Sequence, residues 1–118
     1  MGVFLGDASP VGMAFLDRAL YLPRSWTTDR ARCARAGVPP EQRFATKGEL
    51  AKRLLARAFT TGVPAGWVVA DSLYGRAAHF RAYLEGREQS YVVGILPVQA
   101  VEYAGHRQRA KTVATGVP

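Results

Sequence analysis

The chain has 118 residues, with sixteen Lys and Arg against nine Asp and Glu, a formal net charge of +7 and a pI near 10.2. At 12.8 kDa it is one small domain at most. Its 48% hydrophobic content excludes wholesale disorder, its apolar runs are too short to span a bilayer, and the lone Cys33 excludes an internal disulfide or a cysteine-rich zinc site. The first ten residues carry no basic leader and Asp7 interrupts their apolar run, so the expectation is a cytoplasmic protein without membrane contact.

Val3-Phe4-Leu5 and Met13–Leu22 read as two strands. Gly6–Gly12 between them is dense in turn formers, which predicts a hairpin with Asp7 in its loop. In the second strand Leu16, Leu20 and Leu22 fall on one parity, and Met13, Phe15 and Tyr21 on the other. That pattern suits a strand covered on both faces, and Met13–Leu20 also admits a helix. Pro23–Arg43 is polar, basic and broken by Pro39-Pro40, which predicts a surface loop with at most one helical turn.

Thr46-Lys47-Gly48-Glu49 is a capping-box pattern. Leu50, Leu54, Leu55, Ala58 and Phe59 then mark one face of a helix that Gly62-Val63-Pro64 stops. A strand at Trp67–Ala70 follows, then a helix at Ala77–Glu85 with Phe80 and Leu84 inward and Gly86 as its stop. Tyr91–Leu96 is the next strand, closed by Pro97. A helix between two strands implies a parallel crossover, so these last two strands lie side by side. From Gln99 the pattern fades: Gly105–Lys111 is basic and Thr112–Pro118 carries no structural signal.

Chemistry concentrates at Asp71. The run Trp67-Val68-Val69-Ala70 ends on this carboxylate and turns at once through Ser72-Leu73-Tyr74-Gly75. A buried strand that ends this way delivers its acid to the carboxyl edge of a sheet, where α/β folds bind ligands. The bland alternative is that Asp71 caps the turn after it. Six of the other eight acids are assigned elsewhere: Asp7 to a turn, Asp17 to a salt bridge with Arg18 or a neighbouring strand, and Glu49 to the helix cap. Glu85, Glu88 and Glu102 fall on a helix end, a loop and the tail. His79 and His106 are too far apart for a metal pair, and Cys33 has no companion for nucleophilic work.

Phe15–Pro23, Phe44-Ala45-Thr46-Lys47 and Ala70–Gly75 occur in an order and spacing that resembles bacterial insertion-sequence transposases of the DDE endonuclease superfamily. The resemblance covers roughly Val3 to Ile95. It implies an α/β fold: a partial ribonuclease-H-like mixed sheet of β-hairpin, helix, strand, helix and strand over residues 1–97. Residues 98–118 would be a basic tail opening a missing C-terminal part. Asp71 is implied as the middle acid of a catalytic triad and as a Mg²⁺ ligand, with the other two acids outside this chain. Tyr74 and Gly75 would shape its loop, Gly75 through a backbone angle that other residues resist.

Cleavage of DNA by such enzymes uses two hard cations held by several carboxylates. With one acid, the chain is expected to be inactive alone, to hold no cation stably, and to bind DNA weakly and without sequence preference. Arg24, Lys47 and Arg76 flank the implied active edge and are candidate phosphate contacts. The implied strand order also leaves a gap between the hairpin and the Trp67 and Tyr91 strands, so the isolated chain is expected to be marginally stable. The charge alone supports less, because thirteen of the sixteen basic residues are Arg and genomic base composition produces such a bias. The alternative is a non-catalytic basic α/β module that binds nucleic acid or protein. A metal-independent enzyme is the weakest reading, since no second catalytic group is visible. Nothing in the pattern specifies an oligomeric state.

Overall fold

Residues 2–96, 100–103 and 105–109 are described by the structure, a computed structural model. Pro97, for which the sequence predicts a strand stop, and Thr112–Pro118, the featureless tail, lie outside them, as does the end of the basic stretch Gly105–Lys111. The chain divides into two units, Met1–Pro64 and Ala65–Pro118.

In the first unit, β1 (Gly2–Ser9) and β2 (Gly12–Leu20) form the predicted hairpin, but the strands reach almost to its tip. Ser9 pairs with Gly12, so only Pro10 and Val11 remain in the loop, and Asp7 is a strand residue opposite Ala14. The Ser9 hydroxyl accepts from the Val11 N–H at 3.3 Å, and Gly12 takes φ 147°, which glycine tolerates at no steric cost.

The register is regular through Leu5↔Asp17 and resumes at Gly6↔Phe15, leaving Leu16 as an extra residue. This β-bulge reverses the side-chain parity of β2. Phe15 and Met13, odd-numbered, therefore share a face with Leu20 and Arg18, even-numbered, and with Phe4 across the ladder. The two-sided apolar pattern is one-sided in space. Val3, Leu5, Asp17 and Ala19 make the other face. Helix α3 (Lys47–Thr60) packs against both strands, and Val3 is buried. The outer face is uncovered, contrary to the expectation of cover on both sides: Phe4 is 64% exposed and Phe15 86%.

α3 begins at the Thr46 half of the predicted capping box and ends at the predicted stop. The Thr46 Oγ1 accepts from the Glu49 N–H at 3.2 Å. At the other end Gly62 (φ 86°) donates to the Phe59 carbonyl, and Val63 reaches back to the Ala58 carbonyl, a Schellman closure. Leu50, Leu54 and Leu55 are buried, as their spacing predicts. Exposed Arg57 reaches Asp17 on β2 at 2.9 Å. Asp17 also accepts from the Arg18 N–H, and these bonds from Arg57 and Arg18 hold its pKa below the usual carboxylate value.

The expected loop over Pro23–Arg43 instead holds two short helices, α1 (Arg24–Thr27) and α2 (Arg30–Arg35). Neither is long enough to show an apolar period. Each is fixed by local bonds: Asp29 caps α2 by accepting from the Arg32 N–H at 3.0 Å, and buried Cys33 donates its Sγ–H to the Trp26 carbonyl at 3.1 Å. Arg30 closes the following stretch on the Gln42 carbonyl at 2.7 Å.

In the second unit, β3 (Val68–Ala70) and β4 (Tyr91–Val93) pair in parallel as predicted, Val68 opposite Tyr91 and Ala70 opposite Val93. The crossover carries α4 (Ser72–Gly75) and α5 (Ala78–Gly86), with Phe80 and Leu84 buried. α5 ends at Gly86 as predicted, but the glycine is not the left-handed residue of the closing turn. Glu88 takes the left-handed conformation (φ 57°), and the Glu88 and Gln89 N–H groups close on the Glu85 and Leu84 carbonyls. Both strands are shorter than expected and only half covered, with Trp67, Val69 and Val92 exposed.

From Gln99, where the sequence pattern fades, β5 (Ala100–Tyr103) and β6 (His106–Arg109) pair antiparallel around a turn containing Gly105 (φ 79°). The described strands thus stand as three two-stranded sheets of a mixed α/β chain, instead of one partial mixed sheet. Among the described residues no helix is long and apolar enough to cross a membrane.

Candidate functional site

Asp71 follows the last residue of β3 and is exposed. Its place at the carboxyl end of a parallel strand is the predicted one, although the strand that delivers it is half-exposed instead of buried. The carboxylate is engaged locally. Oδ1 accepts from the Leu73 N–H at 2.9 Å, so Asp71 is the N-cap of α4, and its carbonyl accepts from Tyr74 and Gly75.

α4 is seated on the end of β4 by two glycines. A Cβ on Gly75 would overlap the Gly94 carbonyl oxygen and lie 2.9 Å from the Val93 Cβ. A Cβ on Gly94 would lie 2.9 Å from the Ser72 nitrogen. Gly75 is therefore needed for a close backbone approach. The unusual backbone angle expected of it is absent, because the positive-φ glycines described are Gly12, Gly37, Gly62 and Gly105. The approach also shortens β4: the Gly94 N–H still bonds to the Ala70 carbonyl at 3.1 Å, but the chain then closes against Ser72 and leaves the ladder. Arg81 Nη1 donates to the Gly75 carbonyl and holds the end of α4 from α5.

Tyr74 packs its ring on Phe80, centroids 5.9 Å apart. Burial, and after it the Asp71 negative charge, push its phenol pKa above the usual value. Arg76 is exposed at the C-cap of α4. Asp71, Tyr74, Gly75 and Arg76 thus form one continuous feature of the second unit.

Arg24 and Lys47 belong to the first unit, where two rings link them. The Arg24 guanidinium lies 4.0 Å over Phe44, Phe44 meets Tyr21 edge-on at 6.3 Å, and Lys47 Nζ lies 5.1 Å over Tyr21. Sequence reasoning misses Gly94 and Arg81. An isolated glycine in the apolar run Tyr91–Leu96 is a signal for close backbone approach; Arg81 leaves no signal at all.

At the level of class, this is an α/β protein with an acid-bearing strand end held by a tight turn. The chain matches the family model described as DDE superfamily endonuclease over residues 2–116, and it belongs to that family. No curated protein and no solved structure matches it. Membership implies DNA as the general substrate, and nucleases of this superfamily generally use a divalent metal.

The residues described do not fit a two-cation centre. Such a centre needs several oxygen ligands about each ion. Asp71 is already bound to the Leu73 N–H, Asp17 is held by Arg57 and Arg18, Asp29 caps α2, and Glu85 accepts from the Tyr91 hydroxyl. Among the described residues, no three His, Cys, Asp or Glu side chains are grouped to hold a metal ion.

Proposed function

We propose that this chain works as part of a ribonuclease-H-like transposase core of the insertion-sequence type. Residues 1–97 would contribute to that core and 98–118 would lead out of it. Asp71 would be one acid of its Mg²⁺-dependent cleavage centre, and the chain would not cut DNA alone. The observation that carries this reading is the position of Asp71: an exposed carboxylate at the carboxyl end of the parallel β3–β4 pair, in a chain that the DDE superfamily endonuclease family model matches over residues 2–116. Gly75, Gly94 and Arg81 would fix the turn, and Tyr74 would pack beneath it beside the acid. Completing a cation centre around Asp71 would take carboxylates beyond those placed above, so no cleavage step is assigned to these residues.

The test is incubation of the purified chain with supercoiled plasmid and Mg²⁺ or Mn²⁺. The expected result is neither nicking nor joining. Metal-dependent nicking that disappears in Asp71→Ala would refute the inactivity while upholding the role of the acid. Duplex binding is expected to be independent of sequence and to weaken with salt, by about −0.9 in log–log slope per phosphate neutralised. Candidate phosphate contacts are Arg24, Lys47 and Arg76.

A further inference from the structure

The Asp71 turn belongs to the second unit, and the outer face of the β1–β2 hairpin to the first. The bulge at Leu16 gathers Phe4, Met13, Phe15 and Leu20 there, with Arg18 the charged member of the face. The Phe4 and Phe15 rings stand 6.1 Å apart at 58° and are 64% and 86% exposed. Phe4, Phe15, Leu16, Asp17 and Arg18 line an open depression of about 430 Å³. Asp17 belongs to the α3 face of the ladder, where Arg57 holds its carboxylate at 2.9 Å, so it adds little repulsion for an anion on the outer face.

Two occupants suit an apolar aromatic face. A second copy of the chain would bring together two units that each carry ten basic side chains against five acidic ones, and two Arg18 groups as well. That charge opposes self-association and favours a polyanion. Duplex DNA hides its base faces within the stack and offers exposed rings little. Unpaired bases present flat π-faces on a charged backbone, which matches exposed rings beside an arginine.

We propose that the Phe4–Phe15 face is a stacking platform for unpaired bases of single-stranded DNA, with Arg18 as its phosphate contact. This rests on the DNA-binding part of the function proposed above and adds a preference for strands that are already open, such as frayed or processed ends.

The test measures binding of the full chain to a labelled oligothymidylate and to a duplex of equal length, by fluorescence anisotropy at one salt concentration. Phe4→Leu/Phe15→Leu keeps the face apolar and removes its rings. It is expected to weaken single-strand binding by about tenfold and leave duplex binding unchanged, while Arg18→Gln weakens single-strand binding less. Unchanged circular dichroism in each variant establishes that the fold is kept. Single-strand affinity insensitive to the double substitution overturns the platform but leaves the DNA-binding reading standing, provided the duplex binds. Failure of both nucleic acids to bind at low salt overturns both. Sedimentation showing a dimer that the double substitution dissociates would assign the face to a second copy and overturn the proposal.

Discussion

Replacing Gly75 by alanine adds one methyl group at the point where α4 meets the end of β4. That carbon would overlap the Gly94 carbonyl oxygen, with the Val93 Cβ at 2.9 Å and the Gly94 carbonyl carbon at 3.0 Å. All three obstacles are backbone or Cβ atoms, so no side chain can swing away to make room. Relief requires moving α4 off the strand, which strains the Gly94–Ala70 hydrogen bond and the Arg81 bond to the Gly75 carbonyl. Overpacking of this kind costs about 1–3 kcal/mol. Because backbone must move, the upper half of that range is expected, and at about 4 °C per kcal/mol the melting temperature falls by roughly 8–12 °C. The control is Gly86→Ala on α5, where a Cβ meets nothing within 4 Å. There helix propensity is expected to raise stability by about 0.5–1 kcal/mol. Thermal melts of the three proteins in one buffer decide the matter. Equal stability of Gly75→Ala and the parent chain would refute the reasoning, because the overlap with Gly94 would then carry no cost.

Glu88→Gly relieves a left-handed residue at the end of α5 and is expected to stabilise the chain by about 1 kcal/mol in urea denaturation. Asp71→Ala removes the N-cap of α4 and is expected to cost about 0.5–2 kcal/mol, whereas Asp71→Asn keeps the acceptor and most of the stability; the same denaturation series separates the two. Asp17 has a folded pKa below its ordinary value, so its contribution to stability is present above about pH 4 and is lost as the pH falls through the folded value. Melting temperature followed from pH 6 to pH 2 is expected to fall less steeply in Asp17→Asn than in the parent chain.

What is legible in the sequence follows from how local each determinant is. The cap, apolar stripe and stop of α3 lie within a few residues of one another, and all three are realised at Thr46, Leu50–Leu55 and Gly62. Asp71 at a strand end is legible for the same reason. Its second engagement, as an N-cap, is the alternative the sequence also offers, because the Leu73 N–H it accepts from lies only two residues on. Gly75 is legible as a special position but for another cause, because its real constraint is Gly94, nineteen residues along the chain. Gly86 offers the usual helix stop, yet the turn closes two residues later at Glu88. The helices over Pro23–Arg43 leave no apolar period to read and are held by single bonds at Asp29 and Cys33.

The bulge at Leu16 also gives β2 one residue of slack. Deleting Leu16 would leave Leu5 opposite Asp17 and Gly6 opposite Phe15, and every side chain would keep its side of the hairpin. Deleting Phe15 would let Leu16 take its place with the same result. Loss of a residue from the regular part of the ladder, such as Ala19, would turn over the residues beyond it and carry Leu20 opposite Val3, towards α3. Length variation in relatives of this hairpin should therefore gather at positions 15 and 16, where a codon can be gained or lost while both faces survive.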